Sequence, residues 1–152
     1  MPAGYSVETT ADVALSAATA KTIVSVINAS NALIRITELG VSFDGVSATA
    51  EPVTIELCSS TQATAGTTTS QSPVQQYGPT RTVQATGARN YTAEPTVLTV
   101  IKRWLVHPQT GIELQFPLGR EPEQVITADA LCLRCTAPAA VNAQGYICFE
   151  EG

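Results

Sequence analysis

The chain is poor in charge, in lysine, in aromatic residues and in helix-forming stretches. Only 14% of its 152 residues are charged, against about a quarter in an ordinary globular domain. Lysine occurs twice, while alanine and threonine occur 21 times each. So thin a charge fits a protein packed against copies of itself or a large partner. It fits equally a small β-domain whose outward positions are threonine. The eight basic residues are scattered, with only Lys102 and Arg103 adjacent, and the formal charge is −5. Affinity for phosphates comes mainly from clustered Lys and Arg, so nucleic acid is not expected as a partner. No apolar run approaches the roughly 18 residues of a membrane span, and no membrane contact is expected either.

The opening MPAGYSVETTAD lacks a basic region and is interrupted by Glu8 and Asp12, unlike a secretory signal. Synthesis and assembly in a cytoplasm are expected. There the four cysteines (Cys58, Cys132, Cys135 and Cys148) stay as free thiols. The Asn-X-Ser/Thr triplets at Asn28 and Asn90 carry no weight without secretion.

Catalytic constellations are scarce as well. Cys132-Leu133-Arg134-Cys135 has the C-x-x-C spacing of zinc and redox sites. In a strand, however, residues three apart point to opposite faces. Leu131, Leu133 and Cys135 are therefore expected in the core, with Cys132, Arg134 and Thr136 opposite, and no metal or cofactor is expected. The single histidine, His107, ends a strong strand; the nearest candidate partner, Glu113, lies across the expected hairpin, as a surface contact rather than a dyad. Of the neighbouring carboxylates, Glu121 and Glu123 bracket a proline, and Glu150-Glu151 sit at the chain end. The sequence has no phosphate-cradling glycine loop and no Gly-x-Ser-x-Gly elbow. No catalytic residue is assigned, and the chain is not expected to be an enzyme.

What is present is period-two alternation. Lys21–Asn28 predicts a strand near a sheet interior. Leu33–Phe43 predicts a longer one with a phase change, since Ile34 and Ile36 fall on even positions and Leu39, Val41 and Phe43 on odd ones. A bulge near Glu38-Leu39-Gly40 would keep both halves buried. Phe43-Asp44-Gly45 is then the exit of that strand into a corner. Val53–Cys58 resumes the alternation, followed by Ser59–Ser72, fourteen residues without a charge, predicted as a long exposed loop. Val74–Tyr77 and Arg81–Ala85 are weaker strands. In Thr96–Val106, Leu98, Val100, Trp104 and Val106 share a face with Lys102 intruding, and Val97, Ile101 and Leu105 line the other. Ile112–Phe116, Leu131–Thr136 and Gly145–Glu150 complete about eight strands without a helical crossover. This pattern predicts an all-β fold, a single antiparallel β-sandwich of jelly-roll type, spanning 21–152. Residues 1–20 are assigned to an N-terminal arm, in which Tyr5 and Val7 are the candidate anchors on a partner.

From Leu33 to the end, the order of strands and corners resembles the small jelly-roll head decoration (cement) proteins of tailed bacteriophages. The resemblance is carried by "ITELGVSFDG", "EPVTIEL", the Gly/Thr-rich loop, "NYTAEPT", "RWLVHPQTGIELQFPLGRE" and "GYICFEEG". It implies a homotrimer on the outside of the mature capsid, assembled in the host cytoplasm. Its partners would be the major capsid protein and further copies of itself, and its role would be non-enzymatic. The alternative is a receptor- or glycan-binding β-sandwich module, such as a fibre head. A cupin-like enzyme would need several histidines, and the chain has one.

Overall fold

A computed structural model of the chain describes residues 2–30, 32–61 and 67–152. The described residues form thirteen strands and no helix: β1 Ala3–Glu8, β2 Val13–Leu15, β3 Ala20–Ile27, β4 Ile34–Phe43, β5 Val53–Thr61, β6 Thr69–Ser70, β7 Val74–Tyr77, β8 Thr86–Arg89, β9 Leu98–Val106, β10 Gly111–Gln115, β11 Glu123–Gln124, β12 Asp129–Thr136 and β13 Val141–Glu151. Sheet A has the order β10-β4-β13-β1-β7, with β2 and β11 paired at its margins; sheet B has the order β6-β8-β3-β12-β5-β9. All pairings are antiparallel. Eight strands have five residues or more. Counting these alone, sheet A contains the first, eighth, third and sixth, and sheet B the second, seventh, fourth and fifth. That order is two interlocked Greek keys, the jelly-roll form of the sandwich.

The core lies between the inner faces of the two sheets. Sheet A contributes Tyr5, Val7, Ile36, Leu39, Ile147 and Phe149, and sheet B contributes Ile23, Val26, Ile55, Leu57, Leu131 and Leu133. The phase change in β4 is resolved by a bulge. Cys148 pairs with Glu38 but Phe149 pairs with Ile36, so Thr37 is the extra residue. The slip sits one residue before the predicted position and has the predicted effect, burying Ile36 and Leu39 alike. The corner after β4 is pinned at both sides. Asp44 accepts Asn142 N at 2.9 Å and Asn142 Nδ2 at 2.9 Å, while Gly45 N donates to Pro108 O at 2.8 Å. These bonds, the Asn142 side chain foremost, hold the Asp44 carboxyl below its ordinary range.

Several expectations are corrected. Residues 3–8 are not an arm but an inner strand of sheet A, bonded to β13 on one side and β7 on the other. Residues 13–15 form β2 against β13. The predicted loop at 59–72 begins with the last residues of β5 and includes β6, while 62–66 lie outside the described residues. Arg81–Ala85 is not a strand, because the Gln84 and Ala85 N–H groups donate to the buried Glu151 carboxylate instead of to a neighbouring strand. The expected single face of β9 is split. Its register slips at Ile101, so Trp104 and Val106 join the main core, while Leu98 and Val100 pack on the far side of sheet B with Cys58, Ala130 and Cys132.

Candidate interaction surface

The residues weighed for chemistry are placed apart by the fold. In β12, Leu131, Leu133 and Cys135 face the main core and Cys132 faces the second cluster, as strand geometry requires. All four cysteines are buried and free. His107 Nδ1 accepts the Gln109 N–H at 3.1 Å within its own turn, and among the described residues no hydrogen bond or ion pair joins it to Glu113. Glu123 pairs with Arg35 at 2.9 Å, and Glu121 accepts Gly119 N at 2.7 Å. Glu150 accepts the Tyr77 hydroxyl at 2.5 Å. Among the described residues, no group of three or more His, Cys, Asp or Glu converges as a metal site. Tyr5 and Val7, the expected partner anchors, are 2% and 0% exposed. Tyr5 stacks on Phe149, its register partner on β13, with ring centroids 5.5 Å apart. They hold the core and cannot anchor a partner.

What the outside of the sandwich does offer is a separation of charge. The strands of sheet A carry Glu8, Glu38, Glu113, Glu123 and Glu150 against Arg35 alone, Glu151 being buried, and those of sheet B carry Lys21, Arg89, Lys102, Arg103 and Arg134 against Glu56 and Asp129. Local pairing does not cancel this. On sheet A, Glu38 is bonded by neutral donors, Tyr146 Oη at 2.8 Å and Gln115 Nε2 at 2.9 Å. The side chains of Glu8 and Glu113 hold no hydrogen bond or ion pair among the described residues. On sheet B, two arginines share one carboxylate: Glu56 is 2.7 Å from Arg103 Nη2 and 2.9 Å from Arg134 Nη2. Within that trio one positive charge remains, and the Glu94 carboxylate, bonded to Thr22 beside Arg134, lies against the same sheet.

The acidic face has relief as well as charge. Glu113, Gly40, Tyr146 and Glu8 stand in direct register across β10, β4, β13 and β1. An open trough of about 410 Å³ runs along this row past Gly111, Val41, Ser42 and Gln144. The Tyr146 ring lies over Gly40, where a methyl group would overlap it. Tyr77 repeats the arrangement over Gly4, its own register partner.

Around the corner of the sandwich, the β9 edge has the opposite character. Val97, Ile101 and Leu105 are 55%, 42% and 69% exposed, beside exposed Lys102 and Arg103. Only β5 pairs with β9 among the described residues, so its second edge offers free backbone groups. A slip in register and adjacent basic side chains are the features that keep such an edge from pairing indiscriminately. A second hollow of about 530 Å³, between the Asp44–Glu51 corner and Pro138–Val141, is lined mainly by small apolar groups.

None of this surface was legible as a site in the sequence, because it depends on which strands share a sheet. The exposed apolar triplet Val97, Ile101 and Leu105 was its one visible sign. No family model, no curated protein and no solved structure matches the chain.

Proposed function

We propose that the chain is a structural virion protein, a capsid decoration protein that binds the outside of the expanded phage head and stabilises its lattice. The observation that carries this reading is the exposed apolar rim of β9 beside the exposed basic side chains of Lys102 and Arg103, on the edge of a jelly roll. Apolar groups presented together on the surface mark sites of association. The resemblance in the order of strands and corners supplies the kind of partner, the major capsid protein. Stabilisation then needs no chemistry. A protein that binds the expanded lattice and not its precursor favours the former in proportion to its differential affinity. In this reading the protein acts as a homotrimer on the capsid surface.

The test is co-sedimentation of the purified protein with expanded and with unexpanded heads. Saturable binding to expanded heads alone, with a raised disruption temperature, is expected. Absence of binding to either form overturns the proposal. A competable hit on a glycan array, lost in Tyr146→Ala, would make the chain a glycan-binding module instead.

A further inference from the structure

From the charge separation we infer that copies of this chain associate edge to trough, the basic apolar β9 edge of one copy seated on the acidic Tyr146 trough of another. The inference deepens the reading of the chain as a self-associating protein and names the surfaces that join the copies. Both halves of the contact are present in one molecule. The trough offers the carboxylates of Glu8 and Glu113, unpaired among the described residues, on either side of the Tyr146 ring. The edge offers Lys102 and Arg103 beside Ile101 and Leu105, all exposed. Arg103 is held by Glu56 and Lys102 Nζ lies 5.3 Å from the Phe116 ring centroid, so Lys102 is the cation that would exchange one ring for another. A cation placed on the ring face between two carboxylates is attracted by the quadrupole and by both charges. The apolar side chains of the edge would lie in the trough beside the ring.

Charge also decides against the simpler pairings. A two-fold contact of trough on trough brings Glu8 and Glu113 against their own copies, and one of β9 on β9 brings Lys102 and Arg103 together. Like charges so placed cost several kcal/mol. Only the contact of edge on trough joins opposite signs, whether it repeats around a ring or chain or is reciprocated about a two-fold axis.

The test is sedimentation of the full chain, with no capsid present, at about 10 mM and about 1 M salt, between which the screening length falls from about 30 Å to about 3 Å. A discrete oligomer at low salt that dissociates at high salt is expected. Glu113→Lys and Lys102→Glu should each weaken association at least about tenfold, and the double variant should restore it. Glu8→Lys provides a second disruption of the trough, and circular dichroism confirms that each variant is folded. A monomer at both salt concentrations overturns the inference, as does an oligomer indifferent to the single reversals. Because heads are absent, failure here is distinct from failure of the capsid reading, which the co-sedimentation assay addresses.

Discussion

Tyr146 lies across Gly40, its register partner on the neighbouring strand, and donates its hydroxyl to Glu38 at 2.8 Å. Tyr77 does the same over Gly4 and bonds Glu150. Glycine in a strand weakens it by leaving backbone uncovered and nothing to pack. An aromatic ring laid across the gap restores the packing.

A methyl at position 40 would displace the ring. Gly40→Ala is therefore expected to destabilise by about 1 kcal/mol, the scale of one cross-strand pair. The ring is at the surface and can swing away, which keeps the cost from rising further. The same change in a Tyr146→Ala background should cost less. A double-mutant cycle in urea measures the coupling, and an equal cost in both backgrounds would show that the ring has no part in it.

Part of this structure was legible in the sequence because it depends on local alternation. Ile36 and Leu39 declare a phase change in β4, and the bulge at Thr37 supplies it. Cys132 and Cys135 are an odd number of residues apart, and the strand sends them to different clusters. Ala3, Tyr5 and Val7 also alternate with Gly4, Ser6 and Glu8, so the signal for β1 was present. The small-residue tract that follows obscured it. The Tyr146–Gly40 pair joins residues far apart in the chain, and the opposite charges of the sheets depend on strand order. Neither is encoded in any local pattern.

Glu56 makes stability depend on acid. It accepts Arg103 Nη2 at 2.7 Å and Arg134 Nε at 3.0 Å on the outer face of sheet B. Burial alone would raise its carboxyl, but the two guanidinium groups outweigh that effect and leave it below the ordinary value. A carboxyl lowered on folding contributes stability that is complete above its unfolded pKa of about 4.3 and is lost as the pH falls through the folded value. The urea midpoint should therefore fall as the pH drops from about 5 to about 3, and Glu56→Gln should flatten that slope. At neutral pH the variant should lose about 2 kcal/mol, the scale of hydrogen bonds to a charged group. An unchanged slope in the variant would assign the acid sensitivity to other carboxylates.

The cysteines should be inert while the protein is folded. Burial pushes the Cys58 and Cys148 thiols up to about 11, Cys132 to about 12, and Cys135 further in the same direction. The thiolate is the reactive form, and at pH 8 its population is negligible at all four positions. An aromatic disulfide reagent is expected to label no thiol in the native chain over minutes and all four after denaturation. Rapid labelling of Cys58 or Cys132, which face each other in register on β5 and β12, would reveal that the outer cover of sheet B opens.

The first strand gives the sharpest distinction between an arm and a piece of the core. An arm can be removed without loss of the fold. β1, by contrast, bonds to β13 along its whole length and to β7 along part of it, and it buries Ala3, Tyr5 and Val7. Removing residues 1–8 would expose one edge of β13 and uncover Phe149, the stacking partner of Tyr5. The truncated chain is expected to lack a cooperative thermal transition. A graded version is Val7→Ala, which deletes two buried methyl groups and should cost about 2 kcal/mol. Val7→Asp places a carboxylate with no partner in the core and should cost more than about 4 kcal/mol. Urea denaturation orders the series. A truncated chain that unfolds with the intact chain's midpoint would return residues 3–8 to the status of an arm.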